Sequence, residues 1–365
     1  MDVKLILEAF IIAFFLVIAS IPPIIRVANA KRLFEPFEER KIHTIRVPPL
    51  GGVAIFIGFT LSSIIATDGI SFDVLKYIIA SVIIMFFIGL KDDLMNISAR
   101  KKLLVQILAA VILIMLGDVR FTHLHGILGI EEIRYIPSII LSLFAMVVII
   151  NAFNLIDGID GLASALAMLS VSAYGIWFLI SGNTQFAILS FALVGSLAGF
   201  FIFNVFGSKN KLFMGDTGSL IIGLVISALV VKFNEFNINT SISYAFKASP
   251  AVSFALIIVP LIDTLRVMTI RIYQKKSPFS ADNNHIHHRL LELVPSHLKV
   301  TIIIVSVNIL IIALAYFLNQ TSINVNFQFL IVFFTGIFFS FIPSYILKMK
   351  SSGKINNANQ INLFW

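Results

Sequence analysis

The chain contains no cysteine, so it can form neither a disulfide bond nor a thiolate metal site. Charged residues are also scarce, at 13% of 365 residues, whereas hydrophobic residues make up 58%. A soluble domain typically has about a quarter of its residues charged, and one of this length could not bury so much apolar surface. The apolar residues come in long blocks, which indicates that lipid is the solvent. We therefore expect an integral membrane protein.

Three common motifs of nucleotide-binding and hydrolytic enzymes are also missing, namely GxxxxGK[ST], GxGxxG and GxSxG. The sequence therefore offers no support for ATP-driven pumping or serine hydrolysis. The net charge of +8 could suggest nucleic acid. In a membrane protein the positions of the charges matter more than their sum, so we expect no nucleic-acid partner.

Eleven segments are apolar enough to cross a bilayer as helices, for which about 20 residues are needed. They lie near residues 5–25, 50–66, 74–90, 102–117, 135–150, 162–181, 186–206, 218–232, 249–268, 300–318 and 327–347. Because backbone polar groups must be satisfied within lipid, we expect an all-α polytopic membrane protein with about 11 transmembrane helices. Residues 1–350 are expected to form a single transmembrane domain, and residues 351–365 a polar cytoplasmic tail.

Eleven spans place alternate loops on alternate sides of the bilayer. One side holds 20 of the 27 lysines and arginines, and the other side holds 6. The positive-inside rule therefore predicts that the first side is cytoplasmic and that the N-terminus lies outside. The same side carries every dense cluster of polar residues, so we expect a functional site at the cytoplasmic face.

Two adjacent carboxylates, Asp92 and Asp93, follow the third span, and a basic run opens the fourth. Neighbouring carboxylates repel each other and are stabilised by a divalent cation or a proton. An ordinary solvated loop at a helix end is the alternative. Within the basic run, Arg100 and Lys101 are typical of a membrane-surface anchor, whereas Lys102 points inward and could meet a lipid phosphate.

The segment 151–161, NAFNLIDGIDG, ends an apolar span with two amides and two carboxylates. Asn154, Asp157 and Asp160 are spaced by three and on a helical turn would line one face. Such oxygen ligands suit Mg²⁺ with substrate phosphates completing the shell. A polar helix cap is the alternative. Asp216, in FMGDTGS, opens another span, where a helix cap and a phosphate site are compatible readings.

A histidine tract, His285, His287 and His288, is followed by Arg289 in a loop of about 30 residues. Three histidines could bind a transition metal. With many aspartates nearby and no cysteine, we prefer neutral donors and a cationic arginine around a diphosphate. Elsewhere, Asp263 and Arg266 lie three residues apart within the ninth span, where a structural ion pair is the alternative to a functional role.

Taken in order, these motifs resemble those of the polyprenyl-phosphate N-acetylhexosamine-1-phosphate transferases. They are VPPLGG (47–52), GLKDD (89–93), SARKKLLVQ (98–106), NAFNLIDGIDGLA (151–163), FMGDTGS (213–219) and HIHHRL (285–290). The last motif, with PLIDTLR (260–266), is more similar to the branch that starts O-antigen or teichoic acid synthesis than to the peptidoglycan branch.

The resemblance implies an enzyme of the bacterial inner membrane. It would transfer an N-acetylhexosamine-1-phosphate, foremost GlcNAc-1-phosphate, from a UDP-sugar to undecaprenyl phosphate and release UMP. The expected cofactor is Mg²⁺, with Mn²⁺ as a substitute. The partners are the polyprenyl phosphate lipid, the UDP-sugar and the bilayer, and the oligomeric state stays open, with a homodimer as one option.

The resemblance also implies roles for individual residues. Asp216 and Asn154 match positions that meet the metal and the nucleotide diphosphate, and Lys102 matches a basic residue that holds the acceptor phosphate. Asp160 matches a position close to the uracil. The candidate catalytic carboxylates are Asp92, Asp93, Asp157 and Asp160, and the residues expected to grip the sugar and diphosphate are His285, His287, His288 and Arg289. Some members carry a third acid where this chain has Asn96, so we assign that position no role.

Two rival functions remain at this point. A transporter or flippase for a lipid-linked sugar would require ionisable residues near the bilayer midplane and inverted repeats, whereas in this chain the acids cluster at one face and we find no repeat. The second rival is the phospho-MurNAc-pentapeptide transferase of peptidoglycan synthesis, which performs the same reaction on a larger donor.

Overall fold

The computed structural model describes residues 2–33, 47–67, 71–239, 244–275 and 284–352, and most of these residues are α-helical. The helices are α1 (Asp2–Lys31), α2 (Gly51–Ala66), α3 (Leu75–Met95), α4 (Ala99–Met115), α5 (Tyr135–Ile156), α6 (Leu162–Ile180), α7 (Thr184–Val205), α8 (Gly215–Phe236), α9 (Ser249–Leu256), α10 (Ile258–Tyr273), α11 (Ile286–Leu293), α12 (His297–Asn319) and α13 (Val325–Ser351). Within the described ranges, β-structure is limited to one bridge between His123 and Glu132. The all-α prediction is confirmed.

Seven of the described helices, namely α1, α5, α6, α7, α8, α12 and α13, are long and apolar enough to cross a membrane. The bent pair α9 and α10 makes eight if it counts as one span. Helices α2 and α4 have 16 and 17 residues, at the lower limit of the length that spans the hydrocarbon core. Helix α3 ends in the charged run Lys91-Asp92-Asp93. The multi-pass membrane architecture is therefore confirmed, whereas the number of eleven spans is not.

The ninth predicted span, 249–268, is not one straight helix. Helices α9 and α10 meet at Ile257 with a bend of 77°. Pro260 follows the break, and proline lacks the amide hydrogen that would continue the helical hydrogen bonds. The bend directs α10 across α5 and toward α13, and it places Asp263 and Arg266 beside the histidine tract.

Helix α8 is the centre of the bundle. Every residue from 217 to 231 is buried, and the helix packs against α2, α3, α5 and α6. A helix that is apolar on all sides belongs in the core of a large bundle. Helices α1 and α13 instead expose apolar side chains such as Phe15 and Phe338, as expected of helices that face lipid.

The bundle has two polar ends, joined by α8. The motif end holds Asp92, Lys102, Asn154 and Asp216, which lie where α3 and α5 end and where α4 and α8 begin. The opposite end consists of the loop 116–134 and the last turn of α8, joined by bonds from Thr122 to Glu235. Up-and-down helices bring alternate chain ends to one side, which is how distant motifs meet.

Candidate active site

Four side chains from four helices meet at the motif end, and we call Asp92, Lys102, Asn154 and Asp216 the central cluster. The Lys102 Nζ lies 2.5 Å from Asp216 Oδ1 and 3.1 Å from Asp92 Oδ2. It also donates to Asn154 Oδ1 at 3.3 Å. Asn154 Nδ2 donates to Asp216 Oδ1 and, at 2.8 Å, to Ser219 Oγ. The structure thus brings together residues that lie in four separate sequence motifs.

Asp93 follows Asp92 in sequence, but its carboxylate is used to hold the start of α8. Its Oδ1 accepts from the Asp216 amide at 2.6 Å, and its Oδ2 accepts from the Thr217 amide at 3.0 Å and the Thr217 hydroxyl at 2.5 Å. The first amides of a helix lack intrahelical partners, and a carboxylate there also meets the positive end of the helix dipole. Gly215, with φ of +71°, permits this approach, because a side chain there would collide with the carboxylate.

Asp92 is oriented differently. Its Oδ1 accepts from the backbone amide of Ile97 at 2.5 Å, while its Oδ2 faces Lys102. The carboxylate is largely buried, with 10% of its side chain exposed. The two adjacent acids therefore have different roles. Asp92 belongs to the central cluster, and Asp93 caps the start of α8.

The oxygen atoms of the central cluster fit a hard divalent cation. Within the described residues, no three His, Asp or Glu side chains converge to hold a metal by themselves. The cluster does supply two carboxylates, Asp92 and Asp216, and the amide oxygen of Asn154 around one point. Mg²⁺ commonly takes only one or two protein carboxylates and completes its octahedron with water and substrate phosphates. The donor set is therefore suited to Mg²⁺ or Mn²⁺.

A second cluster surrounds Asp160. Its Oδ2 accepts from Lys211 Nζ at 2.7 Å and lies 2.8 Å from His297 Nδ1. Burial acts to raise the pKa of Asp160, but the hydrogen bonds and charges of His297 and Lys211 outweigh it and hold the pKa below 3.8. Lys211 also lies 5.9 Å from the ring centre of Phe213. The result is an ionised carboxylate, 11% exposed at its side chain, whose partner Lys211 also faces an aromatic ring.

Asn154, Asp157 and Asp160 do not line one helical face, so that prediction is wrong. Helix α5 ends at Ile156, Asp157 follows it as the C-terminal cap, and α6 begins at Leu162. Gly161 adopts φ of +80°, a left-handed conformation that ends helical geometry and that glycine adopts without strain. The turn therefore sends Asn154 into the central cluster and Asp160 toward Lys211.

The histidine tract is anchored by α10. Asp263, 1% exposed, places its Oδ2 2.9 Å from His285 Nδ1 and accepts the Ile286 amide on Oδ1 at 2.9 Å. Arg266 donates to the backbone oxygen of Asn284 at 2.7 Å. It lies 3.8 Å from Asp263, so the ion pair between them is present but long. Both residues mainly position the start of α11.

His287 lies within this tract and is 1% exposed, yet neither ring nitrogen has a hydrogen-bond partner among the described residues. Its ring packs against Gly158, where a side chain would overlap the imidazole. Burial, together with neighbouring His288 and His285, lowers the pKa of His287 well below 6.5, so the ring is neutral. Buried polar atoms without partners are uncommon, which suits a side chain that bonds an arriving ligand.

Arg289 and His288 complete the tract. Arg289 Nη2 donates to Asn284 Oδ1 at 2.7 Å, and Nη1 lies 3.5 Å from Glu292 Oε1. The His288 ring centre is 4.3 Å from that of His287. The tract thus places one cation and three imidazoles together, close to the turn that carries Asp157.

Sequence reasoning did not identify Lys211 and His297. Lys211 stands just before the FMGD motif, and His297 opens α12, 137 residues beyond Asp160. Neither position has a local pattern that signals function, and only the packing of α12 beside the 157–161 turn brings His297 to the carboxylate. Two segments named in the sequence analysis lie partly outside the described residues, namely residues 276–283 of the loop that carries the histidine tract and residues 353–365 of the predicted polar tail.

The chain is similar in sequence to proteins of known activity. Residues 75–234 match the family described as "Glycosyl transferase family 4". The undecaprenyl-phosphate alpha-N-acetylglucosaminyl 1-phosphate transferase of Escherichia coli K12 is 31% identical over 269 residues, which cover 73% of this chain and 71% of that protein. The decaprenyl-phosphate N-acetylglucosaminephosphotransferase of Mycobacterium leprae is 31% identical over 288 residues, 73% of this chain and 72% of that protein. Both the motifs and the similarity over most of the chain establish that it belongs to glycosyl transferase family 4.

Proposed function

We propose that this enzyme transfers N-acetylglucosamine-1-phosphate from UDP-N-acetylglucosamine to undecaprenyl phosphate, releasing UMP. The product is a polyprenyl-diphosphate sugar, the starting lipid for a cell-surface glycan. The observation that carries the proposal is the central cluster, where two carboxylates, an amide and a lysine meet at the polar end of a membrane bundle. The named activities of the two relatives, which act on polyprenyl phosphates, support the same reaction.

The acceptor phosphate meets Lys102 in this proposal. Helix α4 begins at Ala99, so Lys102 stands in its first turn at the motif end, where a lipid headgroup arrives from the bilayer. An ammonium group pairs with phosphate through charge-assisted hydrogen bonds. Asp92, which shares Lys102 with Asp216, lies beside the same headgroup and orients the lysine.

The donor diphosphate lies between the central cluster and the histidine tract. Asp216 and Asn154 would hold Mg²⁺, which when bound neutralises phosphate charge. His287 supplies an unpaired donor and acceptor, and Arg289 supplies a positive charge. Asp160 and Phe213 offer a carboxylate and a ring to the uracil base, with Lys211 and His297 fixing the carboxylate.

Phosphoryl transfer requires neutralised charge and in-line positioning of the reacting groups more than it requires covalent catalysis by the protein. The oxygen of the lipid phosphate attacks the β-phosphorus of the UDP-sugar, the bond to the UMP oxygen breaks, and UMP leaves. We favour this direct attack over an aspartyl-phosphate intermediate because the acceptor is already an anion. The carboxylates support it, since Asp93 is used in capping α8 and Asp216 is engaged by Lys102 and Asn154.

The primary test is UMP release by the purified protein on mixing UDP-N-acetylglucosamine with undecaprenyl phosphate. UMP should appear only when both substrates and Mg²⁺ are present. A lipid-linked sugar transporter would release no UMP under any of these conditions, and that result would exclude the enzyme proposal.

The donor sugar is tested separately by competition among UDP-sugars at equal concentration. We expect the highest kcat/KM with UDP-N-acetylglucosamine, because the histidine tract offers short hydrogen-bond donors that suit sugar hydroxyls and phosphate oxygens. A site that bonds a given hydroxyl rejects an analogue lacking it strongly. A higher kcat/KM with a 6-deoxy sugar or with the muramyl-pentapeptide donor would refute the assignment of UDP-N-acetylglucosamine as the donor. The type of reaction would be unaffected.

The proposed setting is the bacterial inner membrane, with the motif end and the C-terminus in the cytoplasm and the N-terminus outside. The support is the charge split of 20 against 6 between the two sides. A reporter enzyme that works only in the cytoplasm should be active when it is fused after Lys350. Activity of a periplasm-dependent reporter at that position would reverse the orientation.

A further inference from the structure

The Lys102 ammonium occupies the point on which the metal-binding oxygens of the central cluster converge. Its Nζ lies 2.5 Å from Asp216 Oδ1, 3.1 Å from Asp92 Oδ2 and 3.3 Å from Asn154 Oδ1. These are the same three oxygens that would hold a divalent cation. An ammonium and a metal ion cannot share one set of ligands at such distances, because they compete for the same lone pairs and repel each other.

The lysine is also suited to being a counter-cation. Its side chain is only 14% exposed, whereas the neighbouring Lys101 is exposed to solvent. Two carboxylates so close together and partly buried repel each other unless a positive charge lies between them. Lys102 supplies that charge from within the chain and offsets the repulsion between Asp92 and Asp216.

Lysine differs from a fixed ligand because its flexible four-carbon stem lets the charge move while the helix stays in place. Lys102 stands in the first turn of α4, so rotation of its side chain carries Nζ out of the cluster without disturbing α4. Once outside, the ammonium is at the motif end, where the acceptor phosphate is proposed to bind.

We propose that Lys102 is a built-in counter-cation that fills the metal position in the substrate-free enzyme and leaves it when the divalent cation binds. The inference rests on the metal site of the proposed function. The displaced ammonium is then available to the acceptor phosphate, so occupation of the metal position and capture of the lipid phosphate favour each other. Such coupling is reciprocal and typically amounts to roughly 5- to 150-fold in affinity.

The test measures direct binding of Mn²⁺ to the substrate-free protein in detergent. The electron paramagnetic resonance signal of free Mn²⁺ reports how much of the ion remains unbound. Lys102→Met removes the competing charge and keeps the length of the side chain. Lys101→Met removes the same charge from an exposed position one residue away and is the matched control. Asp216→Ala identifies binding at the central cluster. Size-exclusion profiles and thermal unfolding confirm that each variant is folded.

Lys102→Met should tighten Mn²⁺ binding by about tenfold or more, within the usual range of such couplings, while Lys101→Met stays near wild type. Unchanged or weaker binding in Lys102→Met, with binding still abolished by Asp216→Ala, would overturn the counter-cation role and leave the metal site intact. Unchanged binding in Asp216→Ala would place the metal elsewhere and overturn both. Equal tightening in the two lysine variants would assign the effect to net charge and also refute the inference.

Discussion

The two ends of the bundle use polar residues in opposite ways. At the opposite end, many side chains bond to backbone: Glu235 accepts the Thr122 amide at 2.7 Å in addition to its hydroxyl at 2.6 Å, and Asn326 bonds to the backbone of Gly126 and Leu128. In the central cluster at the motif end, charged side chains bond mainly to one another. A loop held by backbone bonds offers few groups that a ligand could take over. A cluster of charges that face each other has bonds that a substrate or cation can replace.

The same difference extends to two histidines, half-buried His125 and buried His287. His125 at the opposite end has its Nε2 3.1 Å from the Asn234 backbone oxygen and 3.3 Å from Ser249 Oγ. His287 at the motif end has no partner for either nitrogen among the described residues. Polarity alone therefore does not distinguish the two histidines, whereas the pairing of their ring nitrogens does. The predictions below test this contrast, beginning with the largest effect.

Asp216→Ala should abolish nearly all turnover and leave the protein folded. The variant removes the carboxylate that links three members of the central cluster, and loss of one charge-stabilising group commonly reduces kcat by roughly 10²–10³-fold. The measurement is UMP release, with size-exclusion behaviour as the control for folding. If the Asp216→Ala variant turned over at the wild-type rate in excess EDTA, both the role of the residue and the metal requirement would be contradicted.

Lys102→Ala should raise the KM for polyprenyl phosphate more than the KM for the UDP-sugar. Loss of a hydrogen bond to a charged group removes about 1.5–3 kcal/mol, or roughly 10- to 100-fold in affinity. Steady-state kinetics with each substrate varied in turn measure the two constants. Lys101→Ala, exposed one residue away, should change neither. Equal shifts in both KM values would argue against a specific acceptor contact.

Asp160→Asn should raise the KM for the UDP-sugar and leave the KM for the lipid near wild type. The amide keeps the size of the side chain but loses the charge that pairs with Lys211 and His297. The low pKa of Asp160 means that the wild-type carboxylate stays ionised down to pH values below 3.8, so donor binding in wild type should show no titration of this group between pH 5 and 8. A donor KM unaffected by the variant would remove Asp160 from the donor site.

Glu235→Gln should lower stability without changing turnover. The variant weakens two hydrogen bonds that close the loop 116–134, and each bond to a charged group contributes about 1.5–3 kcal/mol at most in such a partly buried place. Thermal unfolding in detergent measures the stability, and UMP release measures the activity. A large loss of turnover would show that the opposite end also serves catalysis.

His125→Gln should have the smallest effect, a weaker dependence of stability on pH. Burial, assisted by the positive charge that His123 can carry, lowers the pKa of His125 to about 4. The unfolded chain takes up this proton near pH 6.5, but the folded protein takes it up only near pH 4, so wild-type stability falls as the pH drops through this window. Thermal unfolding at pH 7.5 and 5.5 should show a smaller difference in the variant. An identical difference would contradict the prediction.

Much of the architecture could be predicted from the sequence because hydropathy is a local signal. Ten of the eleven predicted spans fall on single helices and the ninth falls on the bent pair α9 and α10. The motifs at Asp92, Asn154 and Asp216 meet at one end, as the alternation of loops requires. The number of spans could not be predicted as well. Helices α2 and α4, with 16 and 17 residues, stand at the lower limit of the length that crosses lipid, and their helical apolar pattern does not show how they lie in it.

The sites were predicted to the level of the motif and not to the level of the contact. Asp92 and Asp93 are equivalent in sequence, but a rotation of 100° between successive helical residues sends one carboxylate to Lys102 and the other to the start of α8. The spacing of Asn154, Asp157 and Asp160 suggested that they share one helical face. Helix α5 ends at Ile156 instead, so Asp157 and Asp160 lie in the glycine-rich turn that follows it. Partners such as Lys211 and His297 have no local signal at all.

Sequence by itself determined that the chain is an all-helical membrane protein, where its polar motifs fall, and which family it belongs to, because each of these depends on residues close together in the chain. Only the tertiary structure decided which carboxylate caps a helix, which is clamped by Lys211 and His297, and which shares Lys102. These contacts join residues 114, 123 and 137 positions apart. Their geometry depends on how helices pack against α8 and where α5 and α9 end, and no local pattern encodes those two features.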